Sequence, residues 1–398
     1  MTDAPNEPSV FEVENIDGAD SWVFGNDDVS IALTIEGAQM APVQFYRRSD
    51  APFLPYYVSP WTAEGFQGPA GEGIVDKMRG DVFCLPFGAP TSDADGAYSL
   101  HGDVTWKPWS FLGASRSGGM STFSFAIEAT NPSGQITKRV HLVDGQNIIY
   151  LQHEITGVQG SFPFGHHPML RVGDDERVLI GTSELIAGRT WPWAFEDAAS
   201  GGYSSMAVDV EFQTLDEVPS IFSAAPTNAV DEFPTPRGYT DGVVFVQEDI
   251  DGFCWTTATY TKEGYVWFSL KDPAMLPQTA VITMNRGRHY HPWDGREVLF
   301  ALQDVRAYFN GGAVGSRGPN PFSDAGYPTT YEFSATKAVL VNHIQGVAQT
   351  PPNFGRVRSV SAGEGTLTLT DEAGTELVVA VAHSFLRDGS AALAGVGG

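Results

Sequence analysis

The 398-residue chain carries 48 acidic and 23 basic side chains, for a formal net charge of −25. That charge repels phosphate backbones and anionic lipid headgroups, so nucleic acids and membrane surfaces are poor candidates for partners. No apolar run approaches the roughly 18 residues that a membrane-spanning helix requires. With 42% hydrophobic and 12% aromatic residues, however, the chain can bury a large core.

Short runs rich in β-branched and aromatic residues, separated by dispersed Gly and Pro, predict strands along the whole chain. The clearest runs are at 29–35, 122–127, 135–142, 147–156, 255–260, 265–270, 279–285, 366–370 and 377–381. Asp144-Gly145 and Glu372-Ala373-Gly374 predict two hairpin turns. One short helix is expected at 304–309, ended by Asn310-Gly311-Gly312.

This pattern predicts an all-β protein, a large antiparallel sandwich with few short helices. No repeat is evident and no linker separates two cores, so we expect a single domain over 1–398. The segment 311–328, rich in Gly, Pro and Ser, predicts a long excursion. Residues 331–390 either extend the sandwich or form an additional C-terminal β-element.

The N-terminus and the cysteines bear on location. Residues 1–5 have neither a basic region nor an apolar stretch, which predicts no secretory signal. Cys84 and Cys254 both lie in apolar, strand-like segments, and we interpret them as buried free thiols of the kind found in reducing compartments. We therefore expect a cytoplasmic protein. The oligomeric state is left open.

Three turn-rich segments, 78–88, 100–103 and 164–168, are typical of a functional site. Two of them contain His, whose ordinary pKa lies nearest neutral pH and suits proton transfer. His101 precedes a Gly, which leaves its imidazole uncrowded on one side. His166 and His167 are adjacent, so on an extended chain only one of them can face a site.

A fourth candidate segment is 289–297. His289 and His291 would share one face of a strand, a spacing that suits a metal pair if His101 or His167 supplied a third ligand. The same segment is equally good as the polar wall of a loop. Trp293 and Arg296 nearby favour a sugar ligand, because C–H bonds stack on indole rings while hydroxyls accept hydrogen bonds. Phosphate-binding loops, dinucleotide fingerprints and nucleophile elbows are absent from the sequence.

The order of these motifs resembles the aldose 1-epimerase (galactose mutarotase-like) superfamily over roughly residues 25–310. Leu100-His101-Gly102 resembles the family's His-Gly element and His167-Pro168 its His-Pro element. The segment 298–304, Val-Leu-Phe-Ala-Leu-Gln-Asp, resembles its late carboxylate-bearing strand. Arg79 resembles the family's upstream Arg, and Asp241 resembles a sugar-binding Asp.

The resemblance implies a β-supersandwich with a sugar cleft that interconverts the anomers of a monosaccharide or sugar derivative. The chemistry would be general acid–base catalysis, with no cofactor. His167 would be the acid, His101 a partner of the ring oxygen or a hydroxyl, and Arg79 a hydroxyl binder. The further candidates for substrate contacts are Asp81, His166, Asp241, His289, His291, Trp293, Arg296 and Gln303.

The family's catalytic carboxylate falls on Gln303 in this sequence, and Gln cannot accept a proton at neutral pH. Asp304, the next residue, is the expected substitute, although on a regular strand it points to the opposite face unless a bulge re-aims it. Asp81 and Asp103 are alternatives, whereas Glu297 lies about 20 Å away along an extended strand. Two other interpretations stay open. One is a non-catalytic sugar-binding protein, and the other is a different carbohydrate-active enzyme (a lyase, hydrolase or isomerase) on the same fold.

Overall fold

The computed structural model describes residues 12–69, 73–94 and 96–394, and strands form most of its regular structure. In chain order the strands are β1 Glu12–Ile16, β2 Ala19–Gly25, β3 Val29–Thr34, β4 Met40–Phe45, β5 Phe83–Cys84, β6 Thr91–Asp93, β7 Gly96–Tyr98, β8 Ser110–Ser117, β9 Met120–Thr130, β10 Ser133–Val143, β11 Ile148–Thr156, β12 Gly160–Phe162, β13 Phe164–His166, β14 Met169–Arg171, β15 Val178–Thr182, β16 Leu185–Thr190, β17 Glu211–Phe212, β18 Val218–Phe222, β19 Ala225–Asn228, β20 Glu232–Phe233, β21 Tyr239–Gln247, β22 Cys254–Tyr260, β23 Tyr265–Lys271, β24 Gln278–Asn285, β25 Val298–Arg306, β26 Tyr331–Phe333, β27 Val339–Gln349, β28 Val357–Gly363, β29 Thr366–Asp371 and β30 Glu376–Ala380.

The α-helices are short: α1 Pro60–Ala63, α2 Gly312–Arg317, α3 Pro321–Asp324 and α4 Phe385–Asp388. Single 3₁₀ turns occur at Val75–Lys77, Asp103–Thr105, Ala198–Ser200 and Gly389–Leu393. Within the described ranges, no helix has the length and apolar character needed to cross a membrane. The segment 1–5, where the sequence predicts no secretory signal, lies outside the described residues.

Two large antiparallel sheets form the body of the protein. Nine strands pair in the order β20-β15-β22-β23-β27-β11-β10-β9-β8. The eight-stranded sheet has the order β17-β16-β21-β24-β25-β13-β5, with β14 also paired to β25. One core cluster contains Leu151 and Val347 of the nine-stranded sheet together with Phe300 and Leu302 of the eight-stranded sheet. This arrangement confirms the predicted all-β sandwich.

Two smaller sheets pack on the nine-stranded sheet. The sheet β1-β2-β3-β4 covers one part of it, with the ring of Phe24 4.4 Å from that of Phe123. The sheet β28-β29-β30 places Leu369 in one apolar cluster with Phe268 of β23. Within residues 331–390, β27 extends the sandwich as part of the nine-stranded sheet, and β28 to β30 form an additional sheet.

Most of the predicted strands and both hairpins are confirmed, with small shifts at their ends. Asp144-Gly145 joins β10 to β11, and the turn at Gly374 joins β29 to β30. The helix predicted at 304–309 is wrong, because β25 continues to Arg306 while paired residue by residue with β24. The excursion at 311–328 contains α2 and α3. Cys84 and Cys254 are buried free thiols, as predicted.

Candidate functional site

A cleft of about 190 Å³ lies on the outer face of the eight-stranded sheet. Strand β25 forms the centre of its floor, because Leu299, Ala301 and Gln303 line the cleft while Phe300 and Leu302 point into the sandwich core. This is the ordinary alternation of a pleated strand. Two imidazoles, His101 and His167, join Gln303 at one end of this floor.

His101 is held by a tight turn. Its backbone is left-handed, with φ +56, and Gly102 follows with φ +82. A Cβ on Gly102 would lie 2.0 Å from the carbonyl oxygen of Leu85, so this position requires glycine. The ring Nδ1 accepts a hydrogen bond of 3.2 Å from the backbone N–H of Gly88. In the neutral ring the proton is then on Nε2, which can donate to a ligand.

His167 follows directly after β13, and its side chain points to the opposite side from that of His166, as strand geometry predicts. His166 is fully buried in the interior, whereas His167 lines the cleft. One carboxylate fixes both residues: Asp81 accepts the Nδ1–H of His166 at 2.8 Å and the backbone N–H of His167 at 3.0 Å. Asp81 thus positions the catalytic candidate from behind and does not line the cleft itself.

The two cleft imidazoles meet edge to face. The ring centroids of His101 and His167 are 4.9 Å apart, with an interplanar angle of 82°. Burial, and after it the neighbouring His167, holds the pKa of His101 well below its ordinary value. Burial lowers the pKa of His167 to about 4. Both rings are therefore neutral at pH 7, and each carries one N–H donor and one acceptor nitrogen.

Gln303 occupies the position at which the family resemblance places a carboxylate. Its side-chain Nε2 lies 2.8 Å from Nε2 of His167, so the amide donates to the ring nitrogen. The lone pair of His167 is therefore engaged by the amide of Gln303. Among the described residues that line the cleft there is no carboxylate.

Asp304 does not substitute for the missing carboxylate, which corrects its expected catalytic role. The pairing of β25 with β24 contains no bulge, so Asp304 points into the sandwich. There its carboxylate accepts hydrogen bonds of 2.9 Å from Ser269, 2.8 Å from Thr279 and 2.9 Å from Nε2 of His343. The ammonium of Lys271, 3.3 Å away, helps to lower the pKa of this carboxyl group despite its burial.

Asp304 belongs to a buried polar layer between the sheets, directly behind the cleft floor. The rings of His343 and His166 stack at 4.2 Å, and His166 leads on to Asp81. His153 joins the layer, with its ring 5.0 Å from that of His166. Neither ring nitrogen of His153 has a hydrogen-bond partner in the described part of the chain, and burial holds its pKa well below the ordinary value.

Arg79 and Asp241 also lie away from the cleft, which corrects their predicted roles as ligand contacts. The guanidinium of Arg79 is fully buried and donates to the carbonyl oxygens of Ile16 and Asp17 at 2.9 and 3.0 Å, so it ties the N-terminal sheet to the sandwich. The carboxylate of Asp241 accepts both the backbone N–H and the hydroxyl of Ser205, at 2.7 and 2.6 Å. Its role is to hold that loop.

The segment 289–297 forms turns and not a strand, so its two His residues do not share a face. His289 packs against Tyr203, whereas the exposed His291 packs against Phe66. Arg296 makes a bidentate ion pair with Glu64, at 2.6 and 2.7 Å, outside the cleft. The described residues contain no group of three or more His, Cys, Asp or Glu that could hold a metal ion.

Trp293 is the member of that segment that does line the cleft. Its indole packs edge to face on Trp61, with centroids 4.6 Å apart, and the guanidinium of Arg288 lies 4.6 Å above it. Arg288 is itself paired with Glu196, from Nε to Oε1 at 2.7 Å. The cation is therefore neutralised where it approaches the cleft.

Several cleft residues were not found by sequence reasoning: Met169, Trp191, Met284, Arg288 and Asn310. Met169 of β14 stands opposite Ala301 of β25, and Met284 of β24 stands opposite Leu299. Once Gln303 is placed on the outer face, alternation and register identify Ala301, Leu299 and their cross-strand neighbours. No local signal marks Trp191 or Asn310, which follow the ends of β16 and β25.

Comparison with known protein families and with curated proteins finds no match. Solved structures match over most of the chain. YeaD from Salmonella typhimurium has a TM-score of 0.55 at 10% identity, covering 87% of this chain and 97% of its own. A galactose mutarotase-like protein from Clostridium acetobutylicum has a TM-score of 0.53 at 8% identity, covering 86% and 99%. The galactose mutarotase related enzyme from Lactobacillus acidophilus has a TM-score of 0.51 at 10% identity, covering 83% and 99%.

The chain has the galactose mutarotase-like fold. The expected resemblance is confirmed at the level of the architecture, by coverage of nearly the whole length of the neighbours. Identities of 8 to 10% carry no information on activity. What the protein does therefore depends on the chemistry of its own cleft.

Proposed function

We propose that the protein binds a neutral sugar or sugar derivative in this cleft. The observation that carries the proposal is the meeting of His101 and His167, from distant parts of the chain, at one end of an aromatic-walled hollow. Neutral imidazoles and an amide suit hydroxyl groups, which both donate and accept hydrogen bonds. The ring of Phe87, which lines the cleft beside both imidazoles, offers an apolar surface for the C–H side of a sugar ring.

The charge of the cleft supports a neutral ligand. Depressed pKa values keep both imidazoles uncharged at pH 7, and Arg288 is paired with Glu196. The described lining therefore has no unpaired cation that would offset the buried charge of a phosphorylated or acidic sugar. Within the described residues, the two buried thiols suit a reducing compartment, and a cytoplasmic location stays our expectation.

The proposal is tested by calorimetric titration with free monosaccharides and their methyl glycosides. We expect His101→Ala and His167→Ala each to weaken binding at least tenfold, because each removes a hydrogen bond to the ligand. His383→Ala is the matched control, since this imidazole bonds to the carbonyl of Gly363 in the C-terminal region. Wild-type affinity in both cleft variants would show that the ligand does not bind here.

Interconversion of anomers is the second candidate, favoured by the facing imidazoles. Since Nδ1 of His101 accepts from Gly88, its Nε2–H is the group that can protonate the ring oxygen. The anomeric hydroxyl would displace the amide of Gln303 from Nε2 of His167, and His167 would then take the proton of that hydroxyl. The C1–O5 bond breaks, the aldehyde rotates and the ring closes on its other face, which returns both protons. In this mechanism His167 is the base, whereas the resemblance implies that it is the acid.

Anomer exchange measured by NMR separates the two candidates. A ring with a pKa of about 4 is a weak base, and a neutral Nε2–H is a weak acid, so we expect slow exchange in the wild-type protein. Exchange no faster than in buffer, together with saturable binding, would leave the binding function alone. Fast exchange that is lost in His167→Ala would establish the catalytic one.

A further inference from the structure

We propose that the natural ligand is a sugar that carries an apolar substituent, such as an acyl, alkyl or aryl group. This inference rests on the proposed sugar-binding function and names its ligand class. It derives from a feature that a site for a free sugar does not need: the polar side chains that are not in an ion pair lie at one end of the cleft, and the rest of its floor is apolar.

The strand register locates the two ends. Along β25 the cleft-facing residues are Gln303, Ala301 and Leu299, spaced by about 7 Å per pair of residues. Gln303 contacts His167 and so belongs to the imidazole end. Ala301 stands between Met169 of β14 and Ile282 of β24, both of which also line the cleft.

The next row is apolar as well. Leu299 stands opposite Met284, and both line the cleft. Beyond them, Met78 and Trp293 belong to the same apolar cluster and complete this end of the lining. The floor therefore changes from amide and imidazole to thioether, aliphatic and indole groups within about 13 Å, four residues along one strand.

The polar groups are too few and too localised for a free monosaccharide. A pyranose has hydroxyls around its whole ring, and each that is buried without a partner lowers affinity. The described lining contains five His, Gln, Asn or Arg side chains, and four of them are at the imidazole end or in an ion pair: His101, His167, Gln303 and the Glu196-paired Arg288. The fifth, Asn310, adjoins the imidazole end, since its carbonyl accepts the N–H of Ala89, next to Gly88.

The chemistry of the apolar end favours a flexible apolar group over a second sugar. Three methionines line the cleft, and their unbranched thioethers adapt to irregular apolar shapes and to aromatic edges. A second sugar unit would bring further hydroxyls to an end of the cleft where, among the described residues, the polar groups are the indole N–H of Trp293 and the guanidinium of Arg288, which is already paired with Glu196. Most of these hydroxyls would be buried without a partner. An acyl, alkyl or aryl substituent buries without that penalty.

The experiment compares methyl, butyl and phenyl glycosides of D-glucose and D-galactose, titrated into the full chain by calorimetry. Each methylene buried is worth about fourfold in affinity, so butyl should bind up to about 50-fold more tightly than methyl on the same head. Met284→Gln, similar in length but polar, should bring the butyl-to-methyl ratio to within about threefold. Met78→Gln, on a separate segment, should reduce the same ratio, and circular dichroism checks that each variant is folded.

The possible results separate this inference from the function on which it rests. A large butyl-to-methyl ratio that falls in both Met variants supports an apolar subsite. Methyl and butyl glycosides that bind with equal affinity would overturn the apolar subsite while leaving sugar binding intact. Failure of every glycoside to bind would overturn the proposed function, and the subsite with it.

Discussion

Replacing Gln303 with Glu tests the electrostatic account of the cleft most directly. The new carboxylate would stand where the amide now lies 2.8 Å from Nε2 of His167. Opposite charges about 4 Å apart attract by about 4 kcal/mol at an effective dielectric constant of 20. At about 1.4 kcal/mol per pKa unit, this raises the pKa of His167 by roughly 3 units. The pKa of about 4 would therefore move to roughly 7.

The consequence at pH 7 is a His167 ring that carries its proton for much of the time, beside an ionised carboxylate. That pair is a stronger general acid and base than the two neutral imidazoles of the wild-type cleft, and such catalysis is typically worth 10²- to 10⁴-fold in rate. We expect Gln303→Glu to accelerate anomer exchange of a bound free sugar by about 100-fold or more over the wild-type protein.

Two measurements check this prediction. The first is an NMR titration of the imidazole signals, with the signal of His167 assigned by its loss in His167→Ala. The second is anomer exchange followed by NMR. Gln303→Met is the matched control, because it keeps the side-chain length without the charge and should leave the pKa of His167 low. A pKa of His167 that stays below about 5 in Gln303→Glu would refute the reasoning.

Three further substitutions test how the site is held. His153→Leu should raise the free energy of unfolding in urea by about 1–2 kcal/mol, because it removes a buried ring with no hydrogen-bond partner among the described residues; a loss of stability would contradict this. Asp81→Asn should lower the free energy of unfolding by about 3–5 kcal/mol, because the substitution leaves the buried Lys138 without its nearby countercharge. A loss below 1 kcal/mol would show that the charge of Asp81 is dispensable for stability. Gly102→Ala should cost at least about 2 kcal/mol, because its Cβ would meet the Leu85 carbonyl, and should weaken sugar binding through His101; unchanged stability and binding would mean that this turn is adaptable.

The fold could be predicted from the sequence because its strands carry a strong local signal. Alternation and turn residues identify β3, β11, β23 and β24 to within one residue at each end. The prediction at 304–309 was wrong because the end of β25 depends on its partner strand, and pairing with β24 outweighs the local turn signal after it.

The candidate site could be predicted only in part. Strand alternation correctly separates His166 from His167, and Gln303 from Asp304, because that rule is local. Arg79 illustrates the limit: its charged head is satisfied by carbonyl oxygens of Ile16 and Asp17, which lie more than 60 residues earlier in the chain. Nothing near Arg79 in the sequence shows that these oxygens will be there.

The buried imidazoles behind and within the cleft give the folded protein a marked sensitivity to acid. Native His167 has a pKa of about 4, and those of His101 and His153 are held well below the ordinary value, whereas the same rings in the unfolded chain titrate near 6.5. Below that pH the unfolded chain takes up protons that the native state refuses, so stability falls as the solution is acidified. At pH 5, the ring of His167 alone subtracts about 2 kcal/mol from a total that for most domains is only 5–15 kcal/mol. The rings of His101 and His153 act in the same direction, so unfolding in mildly acidic surroundings is accompanied by proton uptake on these imidazoles.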